Sequence, residues 1–214
     1  MILDRGSNNV AGVILAGGLA SRMGGGDKCL NVLGKKTILG HVIGRLSHQL
    51  THIALNANGD PGRFAEFQLP VIPDQTNKFL GPLAGVLSGL DWAFDNGFNQ
   101  IVTVAADTPF FPLKLVKMLD EKLLNSPSQI ALAATNKNGS SKIIRHPTFG
   151  LWPVSLRSDL RHSLDLGIRK VVQWTEKHKH IDVLFENKEA DPFFNVNTYE
   201  DLERARRRIM LEGK

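Results

Sequence analysis

An α/β fold is what this sequence predicts: a single three-layer domain over residues 1–214, with a mainly parallel sheet and helices on both faces. Three observations carry that expectation. Short apolar runs alternate with stretches whose apolar residues recur at helical spacing, the pattern of strand–helix units in a parallel sheet. The 214 residues, 42% of them hydrophobic, are enough for one substantial core. No internal repeat and no linker divides the chain, and only Met1 to Asn9 reads as a loose extension.

The elements follow in order. Val10 to Ala16 is a buried strand running into glycines. Thr37 to Leu50 carries Ile38, Leu39, Val42, Ile43, Leu46 and Leu50 at helical spacing. Ile53 to Ala57 and Val71–Ile72 read as strands. Gly81 to Phe94 is a helix, with Pro82 suited to its first turn. Ile101 to Ala106, an apolar block of Ile, Val and Thr, is the clearest strand. Leu113 to Leu124 returns to helical spacing. Ile130 to Thr135 and Thr148 to Trp152 are strands around a polar loop, Asn136 to Ser141. Ser155 to Leu166 is a helix stopped by Gly167, and Ile168 to Lys177 is another. Ile181 to Phe185 is a strand. Thr198 starts the last helix, with Asp201 in a capping-box position.

Composition excludes several classes. No apolar run approaches the roughly 18 residues that span a bilayer. No secretory leader is expected, because the start lacks a charged segment followed by an apolar core and cleavage site. The lone cysteine, Cys29, rules out an internal disulfide framework and fits a reducing cytoplasm. Net charge is +5 and the pI is about 9.4, which favours anionic partners. The densest basic cluster, Arg204, Arg206, Arg207 and Arg208, shares a helix with Glu200, Asp201 and Glu203 and reads as a solvated face. Aromatic residues do not interleave with basic ones, so nucleic acid is not an expected partner. A monomer is expected.

Leu15 to Lys28 follows the first strand with two glycine clusters bracketing Arg22 and ending in Asp27–Lys28. Glycines let backbone N–H groups approach phosphate oxygens without side-chain clashes. Arg22 and Lys28 add positive charge suited to a polyphosphate. Neither the Walker pattern nor the Gly-x-Gly-x-x-Gly dinucleotide fingerprint is present. Asp107 follows the clearest strand, where α/β sheets bind ligands. A carboxylate there suits Mg2+, which takes one or two carboxylates plus phosphate oxygens and water. A turn aspartate before Thr108–Pro109 is the plainer alternative.

Leu-Ala-Gly-Gly, three residues, Arg-Met-Gly, two residues, Asp-Lys resembles the signature of nucleotidyltransferases that attach a nucleoside monophosphate to a phosphorylated acceptor. Gly81-Pro82-Leu83-Ala84-Gly85, Asp107-Thr108-Pro109, His146-Pro147-Thr148 and Asn195-Val196-Asn197-Thr198 follow in that order. Together they resemble the molybdenum cofactor guanylyltransferases, from about Ala11 to the final helix. The resemblance implies a Rossmann-like nucleotidyltransferase fold and transfer of GMP from GTP to the terminal phosphate of molybdopterin, with pyrophosphate released and Mg2+ required. It implies that Leu15, Ala16 and Gly17 hold base and ribose through their backbone, and that Arg22 and Lys28 hold phosphates. Asn56 and Asp74, ordinary turn formers when taken alone, become nucleotide contacts, and Asp107 becomes the metal ligand.

Gly81 and Pro82 open a helix toward an anion, or simply initiate it. His146, Asn195 and Asn197 stand as acceptor-side or supporting candidates, with structural roles as the alternative. Cys29 reads as a bystander. A cytidylyl or sugar-phosphate transferase, a non-catalytic nucleotide-binding module, and transient contact with other molybdenum cofactor proteins stay open at this level.

Overall fold

The computed structural model describes residues 9–17, 27–75, 81–136, 141–186 and 190–212. The first strand, β1 (Val10–Leu15), is apolar throughout and lies inside the sheet, as a run without polar alternation requires. A two-strand hairpin follows, β2 (Val32–Leu33) and β3 (Lys36–Thr37), turning at Gly34 with φ +66°. Thr37 then caps α1 (Ile38–Ser47), its hydroxyl accepting the Gly40 N–H at 3.0 Å. Next come β4 (Ile53–Asn56), β5 (Val71–Ile72), α2 (Pro82–Asp95), β6 (Gln100–Ala105) and α3 (Leu115–Leu124). The chain closes with β7 (Ile130–Asn136), β8 (Ile143–Pro153), α4 (Arg157–Asp165), α5 (Val171–Thr175), β9 (His180–Phe185) and α6 (Tyr199–Glu212).

Seven strands form one sheet in the order β5-β4-β1-β6-β8-β7-β9. All run parallel except β8, which pairs antiparallel with both β6 and β7. Alternate side chains serve opposite faces. Ile14 and Val102 pack in one cluster with Leu39, Val42 and Leu46 of α1 and Leu115 and Leu119 of α3. Val13 and Ile101 pack in the other with Leu83, Val86 and Leu90 of α2, Leu160 and Leu164 of α4, and Trp174 of α5. The result is the three-layer sandwich expected.

A smaller cluster packs the last helix against the hairpin region. Leu33 of the hairpin, Ile38, Phe110 and Val196 meet Leu202 and Ala205 of α6. The capping box at the start of α6 is present. Asp201 N–H donates to Thr198 Oγ1 at 3.1 Å, and Thr198 N–H donates to Asp201 Oδ2 at 3.0 Å.

Three elements differ from expectation. The hairpin was missed because two-residue strands carry too little periodicity. The helix expected over Ile168 to Lys177 is only the five residues of α5. β8 begins five residues before the expected Thr148, and the core of the expected Asn136 to Ser141 loop lies outside the described residues, as do residues 1–8.

Candidate active site

β1, β4 and β6 end side by side. The register sets Leu15 opposite Asn56 on one flank and Ala105 on the other. Two further backbone bonds extend the alignment: Ala16 N–H donates to Asn56 O at 2.9 Å, and Ala106 N–H donates to Leu15 O at 3.0 Å. After β1 the chain moves to β4 and β5 on one side and then returns to β6 on the other. Such a reversal opens a crevice at the strands' carboxyl ends. A cleft of about 220 Å³ lies there.

Of the residues singled out in the sequence, Leu15, Ala16, Gly17, Lys28, Asn56, Asp74, Gly81, Pro82, Asp107 and Asn195 all line this cleft. Arg22 belongs to the 18–26 stretch, outside the described residues. Asn197 is not in the lining, but its Oδ1 accepts from Lys28 Nζ at 3.4 Å.

Asn56 is buried at the end of β4, and its amide donates to Ile72 O at 3.1 Å and to Asp74 Oδ1 at 3.0 Å. Asn58 donates to the other oxygen, Asp74 Oδ2, at 2.8 Å, and accepts the Asp74 N–H at 2.8 Å. Both Asp74 oxygens are thereby held by amide donors. Helix α2 begins against this network. A Cβ on Gly85 would sit 2.3 Å from Asn56 Oδ1 and 2.9 Å from Leu15 Cδ2, so only glycine lets the helix come so near.

Asp107 sits across the cleft. Burial pushes its carboxyl above the usual carboxylate range, while the Thr108 hydroxyl and the Lys28 charge pull it down without cancelling that rise. Thr108 Oγ1 is 3.1 Å from Asp107 Oδ1 and 2.6 Å from Asn195 Oδ1, linking the two. Val196 N–H donates to Asp107 O at 2.8 Å, which brings the Asn195–Asn197 segment to the end of β6. Cys29, buried in the cleft wall, has its thiol pushed up to about 12 by burial and by the charges of Asp27 and Asp107.

His146 stands apart from the cleft lining. Its Nε2 lies 2.9 Å from Thr135 Oγ1, its ring stacks on Phe193 at 4.3 Å between centroids, and burial lowers its pKa despite the nearby Asp191. The His146-Pro147-Thr148 segment occupies an irregularity in β8. Leu132 pairs with Gly150, but Ala134 already pairs with Arg145. Extra residues at such a bulge re-aim side chains, and a proline is tolerated there. Thr148 is the one delivered to the cleft, its carbonyl accepting the Thr103 hydroxyl at 2.9 Å.

Asp27, Gly85, Ala106 and Thr148 line the cleft without having been assigned a role in the sequence. Asp27 had a signal, its place beside Lys28. Thr148 had one only as part of the His-Pro-Thr motif.

A family model described as a MobA-like NTP transferase domain matches residues 12–181. The chain is 47% identical over 208 residues to a molybdenum cofactor guanylyltransferase of Bradyrhizobium sp., covering 96% of this chain and 95% of that protein. It is 38% identical over 196 residues to one from Haemophilus influenzae, covering 92% and 97%. Among solved structures it resembles molybdopterin-guanine dinucleotide biosynthesis protein A from Archaeoglobus fulgidus, with a TM-score of 0.74 at 21% identity over 94% of this chain and 99% of that one. That last likeness speaks to the fold.

Two predictions follow from the geometry. Gly→Ala inside a helix ordinarily stabilises by about 1 kcal/mol. Gly85→Ala should instead destabilise by about 1–3 kcal/mol in urea unfolding, because the methyl collides with a buried, hydrogen-bonded Asn56. For Asp107 the sign is fixed by its raised pKa: the folded state binds the proton more tightly than the unfolded one. Stability is then lost as pH rises through the unfolded carboxylate pKa toward the folded one, and stays lost at neutral pH. Asp107→Asn should therefore unfold at a higher temperature than the parent at pH 7.5 in chelator, and a lower melting temperature would refute this.

Proposed function

The chain belongs to the MobA-like NTP transferase family, and on that premise we propose that it transfers GMP from GTP to the terminal phosphate of molybdopterin. As a member it is a nucleotidyltransferase, and its near-full-length relatives are named for guanylyl transfer to the molybdenum cofactor. The observation that carries the reading is the cleft itself. It sets Lys28 and Asp107 on one side and the Asn56–Asp74 network on the other, at the common end of three parallel strands.

The acceptor brings its own nucleophile, an anionic phosphate oxygen. That oxygen forms a bond to the α-phosphorus, the α–β bridging bond breaks, and pyrophosphate leaves with the electron pair. The protein's task is positioning and charge neutralisation. Lys28, steadied by Asn197, supplies an ammonium for the phosphates, and Arg22 a guanidinium from the glycine loop. The backbone of Leu15, Ala16 and Gly17 and the side chains of Asn56 and Asp74 receive the nucleoside. Gly81 and Pro82 place the start of α2 at the cleft wall, and Asn195 serves the acceptor side.

The donor set fits Mg2+. Asp107 is desolvated with its pKa raised, a state that an adjacent dication relieves, and Asn195 offers a further oxygen beside it. Bound there, Mg2+ would offset negative charge on the α- and β-phosphates. Among the described residues no helix is long and apolar enough to cross a membrane. We place the reaction in the cytoplasm, where Cys29 stays reduced.

The test is pyrophosphate release from GTP, CTP, ATP or UTP offered with molybdopterin and Mg2+. Release with GTP is expected. Release with CTP but not GTP would overturn the base assignment, and release with none would favour a binding module. Lys28→Ala should lose about 10²- to 10³-fold in turnover, by analogy with removing one preorganised donor. Unchanged turnover would remove Lys28 from the phosphate site.

A further inference from the structure

Asp27 holds the N-cap position of the short turn Lys28–Leu30, where an aspartate ordinarily accepts the turn's own amides. It makes no such bond. Its carboxylate instead accepts from Nε–H of Arg63, which lies on the 3-10 segment Pro61–Phe67 after β4.

The chain around Arg63 is shaped to present the guanidinium in that direction. Nη1 donates to Asp60 O at 2.6 Å, and Nη2 donates to Asn58 O at 2.5 Å. Gly59 has φ +85°, and a Cβ there would stand 3.2 Å from Nη1, so position 59 is suited to glycine by backbone and by space. Asn58, whose carbonyl Arg63 holds, is the residue whose amide grips Asp74. One guanidinium thus joins the end of the glycine loop to the Asn58–Asp74 side of the cleft.

Asp27 also lines the cleft beside Lys28. A bare carboxylate there would repel an incoming polyphosphate and draw the Lys28 ammonium to itself. We propose that Arg63 is a positioning residue for the phosphates: it neutralises Asp27 and so keeps the Lys28 end of the cleft attractive to a polyanion. The inference rests on the reading of the cleft as a nucleotide site. Arg63 acts through Asp27 and is not itself part of the cleft lining.

The test is direct binding by the full chain with Mg2+ present, using GTP, inorganic pyrophosphate and guanosine as separate calorimetric probes. Arg63→Gln should weaken GTP and pyrophosphate about tenfold each and leave guanosine unchanged. Adding Asp27→Asn should recover most of that loss, because the charge that Arg63 masked is gone. Asp27→Asn alone should bind pyrophosphate at least as tightly as the parent. A tether without an electrostatic role gives the opposite pattern. Asp27→Asn is then as weak as Arg63→Gln, and the double variant recovers nothing.

Either of those results, or parental pyrophosphate binding by Arg63→Gln, overturns the proposal. Should Arg63→Gln fail to fold by circular dichroism, Asp27→Asn alone still decides. Lys28→Ala distinguishes the underlying reading. Parental pyrophosphate affinity in that variant removes the phosphate site itself, whatever the Arg63 pair does.

Discussion

The register of β1 between β4 and β6 is the constraint on which the cleft depends. With Leu15 level with Asn56 and Ala105, the residues beyond all three strands emerge at one height and face one another. A slip of one residue in either pairing would turn Val13 and Ile14 to the wrong faces. The two apolar layers forbid that, since each of those side chains is fully buried against its own set of helices. Packing far from the chemistry therefore sets the alignment of polar groups at the strand ends. Helix α2 is brought onto this framework by glycines. Gly85 fits beneath Asn56, and Gly89 fits against Val13, whose Cγ2 would lie 2.9 Å from an added Cβ.

Among the described residues the cleft is lined by three aspartates, and each is treated differently. Asp74 has both oxygens held by amides, and Asp27 has its charge met by a guanidinium. Asp107 receives a hydroxyl contact and the more distant influence of Lys28, which leaves its pKa raised. Among the described residues, Asp107 is thus the cleft carboxylate that the protein compensates least.

Much of the fold was legible because its strands and helices announce themselves by apolar period. β1, β4, β6 and β7 are buried runs, and α1, α2 and α3 carry apolar stripes. The start of β8 was not legible. Ile143, Ile144 and Arg145 are exposed, and Pro147 interrupts the run where the register breaks. The site followed the same division. Asp107 and Lys28 were visible because a motif beside a strand end is a local signal. Arg63 was invisible because its meaning lies in Asp27, which only the fold brings near. His146 shared a motif with Thr148, yet the bulge sends the two in different directions, and spacing alone carries no record of a bulge.

The thiol of Cys29 shows what this electrostatic arrangement leaves behind. Thiols act on electrophiles, oxidants and soft metals as thiolates, and with its pKa at about 12 this one stays protonated at any physiological pH. It is the chain's only cysteine. The same burial and neighbouring carboxylates that shape the cleft thus render its single sulfhydryl chemically silent. Oxidative coupling of two molecules through this sulfhydryl is correspondingly disfavoured.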